Sequence, residues 1–182
     1  MIQKALIVVL SLPFVAALVL YFGYLKLYRV PGSSMEPTIH CAHPGAGCAA
    51  GRSDHLVALR FRWPFRSVRR RDIVAVRVPE AAVLACRTTG TYIKRVIGLP
   101  GETVAERSGT VFVDGKRLEE PYVKRRDTES FGRKPVPPGR YFVLGDARSQ
   151  SCDSRQFGAV PRRDLIARVV GIYWPPSRIS VR

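Results

Sequence analysis

Histidine is scarce in this chain, with three in 182 residues, at His40, His43 and His55. A serine hydrolase relying on histidine would have to draw its base from that one stretch. No Gly-x-Ser-x-Gly elbow accompanies it, so a Ser-His-Asp triad has little support. Acidic residues are also few, 14 against 30 Lys and Arg, for a formal net charge of +16. That imbalance calls for an anionic partner: nucleic acid, a phospholipid surface or an acidic substrate. No internal repeat is present, which excludes a solenoid or propeller. Beyond residue 25 no stretch sustains the 3.6-residue apolar period of a helical bundle. The fold expected is mainly β.

The one long apolar run is N-terminal. Ala5 to Leu25 holds no charge and is bounded by Lys4 and Lys26. At 1.5 Å per residue it makes a helix of roughly 31 Å, enough for a hydrocarbon core of about 30 Å. Pro13 is better tolerated in a membrane helix than in a soluble one, and Tyr21, Phe22, Tyr24, Lys26 and Tyr28 supply an interfacial belt. A cleaved signal could use the small residues at Val15-Ala16-Ala17, but its apolar region usually runs only about 7–15 residues. The expectation is an uncleaved anchor. Charges flanking the run leave its orientation open. Four cysteines, Cys41, Cys48, Cys86 and Cys152, are compatible with two disulfides in an oxidising space, in any of three pairings.

Val30 to about Asp54 is rich in Pro and Gly and reads as loop, closed by a local Cys41–Cys48 bridge. His40, Cys41, His43 and Cys48 do not match a paired zinc-ligand spacing. Strand-like runs follow at 55–62 and 72–78. Between them Phe61-Arg62-Trp63-Pro64-Phe65-Arg66 leads into Arg69-Arg70-Arg71, a pattern suited to headgroups, to stacked bases, or merely to solvent. Residues 86–94 read as a strand, a turn at Thr89-Gly90 and a second strand. Asp114-Gly115 suits a tight primed turn. Tyr122 to Lys134 reads as a mobile polar surface segment, and the strand patterns resume at 136–146 and 165–174.

Lys94 lies between Tyr92-Ile93 and Val96-Ile97, and in a strand it shares a face with Tyr92 and Val96. Burial there would favour the neutral amine, which can act as a base toward a serine hydroxyl. An edge-strand lysine that blocks aggregation fits the same pattern. The segments Pro31-Gly-Ser-Ser-Met-Glu-Pro-Thr38, Tyr92-Ile-Lys-Arg-Val-Ile-Gly-Leu-Pro-Gly-Glu102 and Gly145-Asp-Ala-Arg-Ser-Gln-Ser-Cys-Asp-Ser-Arg155 resemble, in order, the signature boxes of type I signal peptidases, the bacterial Ser/Lys leader peptidases.

The resemblance implies a signal-peptidase-like β catalytic core with a small second lobe, preceded by one transmembrane helix. It implies a membrane-tethered serine endopeptidase that cuts signal peptides from exported preproteins after small-x-small sites, without a cofactor. Ser34 would be the nucleophile, Lys94 the general base and Ser151 the residue orienting that lysine. The oxyanion would be held by backbone at Gly32 and Ser34. Asp153 and Arg155 would form a supporting ion pair, and Asp146 and Arg148 would be structural. Two departures stand out: Gly32 where many relatives have serine, and Ala147 where asparagine is common.

The organisation expected is a short tail (1–4), an anchor (5–25) and an extracytoplasmic β-rich domain (26–182), with about 101–140 as a small inserted hairpin lobe. The protein would be single-pass in the cell membrane, beside an anionic lipid surface and without a specific nucleic acid. If Cys86 lies across a hairpin from about Ile93, a Cys86–Cys152 bridge would sit behind the dyad. The rival readings are a Ser/Lys peptidase dedicated to one substrate and a membrane-anchored basic nucleic-acid or lipid-binding protein.

Overall fold

The computed structural model describes residue 18 and residues 22–44, 46–62 and 67–181. The tail 1–4, most of the expected anchor 5–25 and the stretch 63–66 fall outside these residues. Among the described residues no helix is long and apolar enough to cross a membrane.

Two antiparallel sheets make up the fold. In the larger, β1 (Leu25–Arg29), β2 (His55–Arg60), β11 (Leu165–Trp174), β3 (Ile73–Arg77), β4 (Thr91–Gly98), β9 (Arg140–Leu144) and β10 (Val160–Pro161) lie in that spatial order, with β12 (Ser180–Val181) paired to β11. The second sheet has the order β7 (Lys116–Arg117), β6 (Thr110–Val113), β5 (Thr103–Arg107), β8 (Phe131–Pro135). The second lobe is therefore larger than the hairpin expected for 101–140. The Asp114-Gly115 turn forms as its residue types require, both with positive φ (49° and 78°).

Register places the key lysine. Leu25 pairs with Leu59, Leu59 with Arg168, Arg168 with Val74 and Val74 with Lys94. These residues form one row across the sheet, so at about 4.8 Å per strand Lys94 lies roughly 19 Å sideways from Leu25, at the same height. β4 is covered on both faces, with Lys94 through Gly98 all buried.

Two expectations are corrected. Cys86, expected to open a strand, instead ends a short helix, α1 (Glu80–Cys86). Glu80-Ala-Ala-Val-Leu-Ala is made mostly of good helix formers, Glu80 sits in the first turn where the helix dipole favours a carboxylate, and the helix stops at Arg87 in the left-handed region. Ile93 consequently pairs with Ala75 and not with Cys86. The segment 122–134 is pinned, not loose: Tyr122 stacks under Arg95, Asp127 and Glu129 pair with Arg155, and its end is β8. Asp127 and Glu129 look like solvated surface in the sequence because their partner, Arg155, lies far along the chain.

Candidate active site

Pro31 and Gly32 bring the chain off β1 into a 3-10 turn, Ser33–Met35, and Met35 drops into the core with 1% exposure. The turn is braced from several sides. The Ser34 carbonyl accepts the Ala147 N–H at 3.1 Å, and the Met35 carbonyl accepts from Ile39 at 2.9 Å. Glu36, which sequence reasoning passed over, is a buttress: Oε1 accepts from the N–H groups of Cys41 (3.1 Å) and Ala49 (3.2 Å), and Oε2 pairs with His40 Nδ1. The turn is thereby joined to the loop that Cys41–Cys48 closes. With those two sulfurs bonded to each other, neither is free to hold a metal.

Lys94 reaches this turn from the middle of β4. Its Nζ stands 2.7 Å from Ser34 Oγ and its side chain is 1% exposed. Burial pushes the ammonium down from 10.5 to about 8; Asp153 and Asp146 pull it back up, and Arg155 pushes it down further. The Tyr92 ring lies 4.9 Å from Nζ. An amine that is partly neutral near pH 8 and in contact with a serine hydroxyl is placed to accept that hydroxyl's proton.

The third segment, 145–155, supports these two residues through its main chain. At Gly145 a Cβ would fall on Ser151 Oγ and, at 2.5 Å, on the Ser34 carbonyl oxygen. Only glycine permits that approach. Ser151 is buried beside the backbone of Ser34, but its hydroxyl makes no hydrogen bond among the described residues. The expected Ser151–Lys94 bond is thus not formed here, because Lys94 Nζ is directed at Ser34 and the Ser151 hydroxyl rests against Gly145.

Asp153 and Arg155 do pair, Nε to Oδ1 at 3.0 Å, and Asp153 also accepts the Gly145 N–H at 3.1 Å. Arg155 then donates to the carbonyls of Arg148 (2.5 Å) and Ser151 (3.3 Å). Asp146 pairs with Arg95, at 2.8 and 2.6 Å. Arg148 reaches Glu106, in β5 of the second sheet, at 3.6 Å, and Glu120 in the loop after β7. Arg95, Glu106 and Glu120 were missed as members of this cluster. Arg95 carried a signal, being a second charge in the same apolar strand; the two glutamates carried none.

Between β1 and the start of β4 runs a cavity of about 430 Å³, lined in part by Tyr28, Val30, Met35 and Ile93, with Ser34 and Lys94 in its wall. Cys86 and Cys152 are joined as foreseen, yet their bridge lines this cavity and does not sit behind the dyad. Gly32 is ordinary extended backbone (φ −126°) with open space where a Cβ would stand.

Residues 2–174 match the family model described as signal peptidase, peptidase S26. "Signal peptidase I" of Leptolyngbya laminosa is 36% identical over 152 residues, covering 83% of this chain and 70% of that protein. "Probable signal peptidase I-2" of Synechocystis sp. is also 36% identical over 152 residues, which cover 84% of this chain and 64% of the relative. A crystal structure of a signal peptidase I from Enterococcus faecalis V583 is 34% identical, with a TM-score of 0.46, covering 59% of this chain and 97% of that one. The match to the family model takes in both Ser34 and Lys94 and runs almost the whole length of the chain. The chain belongs to the signal peptidase family, peptidase S26.

Proposed function

We propose that this chain is a membrane-held endopeptidase that removes signal peptides from exported preproteins, with Ser34 as nucleophile and Lys94 as general base. The observation that carries the reading is the 2.7 Å approach of a fully buried lysine amine to a serine hydroxyl at the end of a partly apolar cleft. Ser34 Oγ attacks the scissile carbonyl while neutral Lys94 takes its proton; the lysine hands that proton to the leaving amine as the C–N bond breaks, which leaves an acyl-enzyme, a released mature chain and a neutral Lys94. Lys94 then draws a proton from the hydrolytic water. Backbone N–H groups at Ser34 and the preceding turn hold the oxyanion. Ser151 steadies the lysine once its uncommitted hydroxyl turns from Gly145.

Tyr28, Val30, Met35 and Ile93 suit small side chains before the cut. Residues 5–25 act as the anchor, a reading supported by the register row from Leu25 to Lys94, which keeps the dyad near the height of Leu25. The surplus of positive charge faces anionic lipid.

The test is cleavage of a preprotein with an Ala-x-Ala site, in liposomes, by wild type and Ser34→Ala. Wild type is expected to cut after the second alanine and Ser34→Ala to be inert while folded. A folded wild type that leaves several such preproteins intact would sink the reading. A second expectation concerns the oxyanion hole. Gly32→Ser adds a hydroxyl donor into open space and should raise kcat roughly three- to tenfold with KM little changed. An unchanged or lower kcat would show that the hydroxyl does not reach the oxyanion.

A further inference from the structure

Beyond the first cleft lies a second cavity of about 330 Å³, between the nucleophile turn, the disulfide loop and the segments 124–125 and 146–150. The two meet at Gln150, which lines both, and at the disulfide loop, where Ala46 faces the first cavity and Gly47 the second. Gln150 packs so closely on Gly47 that a Cβ there would strike its side-chain amide. Ala147, part of the second cavity's wall, is the residue whose N–H holds the Ser34 carbonyl. The second cavity therefore begins one hydrogen bond from the nucleophile and shares only Gln150 with the apolar cleft.

Its charge is uneven. Four charged residues line it: Glu36, Asp146, Lys124 and Arg125. Both carboxylates are buried and committed, Glu36 to His40 and two backbone N–H groups, Asp146 to Arg95. Lys124 and Arg125 are exposed, and neither has an ion-pair partner among the described residues. The cavity thus offers two unneutralised cations over neutralised acids.

Building on the peptidase reading, we propose that this cavity receives the first residues of the released mature chain, with Lys124 and Arg125 selecting acidic side chains there. In a peptide bond under attack, the acyl part and the leaving amine diverge from one carbon. If the apolar cleft takes the residues before the cut, those after it pass over Gln150 toward the second cavity. At about 3.3 Å per extended residue, the leaving chain gets there within its first few residues.

The test uses three peptides alike up to an Ala-x-Ala cut and differing at the second and third residues after it: Asp-Asp, Ser-Ser and Lys-Lys. Wild type in low salt is expected to favour Asp-Asp over Lys-Lys by roughly tenfold in kcat/KM, and the ratio should shrink in high salt. In the double variant Lys124→Glu, Arg125→Glu the order should reverse. Equal cleavage of all three peptides by wild type, or an unchanged ratio in the variant, would overturn the proposal and leave the peptidase reading intact. Failure of wild type to cut any of them would remove both.

Discussion

Lys94→Met is expected to lower preprotein cleavage by at least about 10³-fold while leaving a folded protein that is more stable near neutral pH than wild type. The loss follows from removing the only base within reach of Ser34 Oγ among the described hydrogen bonds. The stability gain follows from burial. The lysine's pKa in the fold, about 8, lies below its ordinary 10.5. Between those values the unfolded chain holds a proton that the folded chain lacks, so stability rises with pH across that window. Below pH 8 both states are protonated and the folded state carries the full penalty, roughly 3 kcal/mol for a shift of this size. Methionine fills much the same space without a charge and removes most of that penalty.

The same pKa fixes the rate profile: kcat/KM of wild type should climb about tenfold from pH 7 to pH 9 as the amine becomes neutral, then level. Lys94→Arg should be as inactive as Lys94→Met, since a guanidinium does not give up its proton. Thermal melts at pH 7 and a pH–rate series measure these outcomes. Ordinary cleavage by Lys94→Met would refute the base assignment, and a lower melting temperature would refute the account of burial.

Lys94 was legible in the chain because strand alternation puts its charge on the apolar face of Tyr92 and Val96, and β4 resolves the conflict by bringing it to Ser34. The Cys41–Cys48 loop was legible because its residues are near neighbours. Helix α1 was hidden because seven residues give too short a run for a helical period to stand out from a strand. The charge cluster was hidden for a different reason. Glu106 sits in a strand whose alternation sends it inward beside Val104, while Glu120, Asp127 and Glu129 lie in a stretch rich in exposed polar residues. Nothing local says that their partners are Arg148 and Arg155, up to 49 residues later (155 − 106). Buried charge pairing is a property of tertiary contact, and sequence pattern reports mainly on neighbours along the chain.

That cluster sets the second large expectation: Arg148→Ala should destabilise the protein by about 3–5 kcal/mol and lower cleavage with it, although Arg148 does not touch Ser34 or Lys94. Arg148 is 1% exposed, pairs with Glu120 and Glu106 and donates from Nε to the Gly145 carbonyl at 3.1 Å. Without it two carboxylates remain in the interior, and Glu106 keeps only Arg155, at 4.0 Å. A loss of that size is a large part of the 5–15 kcal/mol that holds a typical domain together.

The defect should depend on pH in a direction that ordinary core damage would not produce. Burial and the nearby Asp127 already push Glu106 up to about 7, against Arg155 and Arg148, which pull it down. Removing Arg148 raises it further. A carboxyl whose folded pKa exceeds its unfolded value lets the folded state bind the extra proton, so stability falls as pH rises through that range. Arg148→Ala should therefore lie closer to wild type at pH 5.5 than at pH 8. Arg148→Lys should recover little, because one ammonium cannot serve Glu120, Glu106 and the Gly145 carbonyl together. Urea melts of wild type and both variants at the two pH values decide the matter: a gap that is the same at both would mean that Arg148 contributes packing alone, and that the two sheets are not joined through its charge.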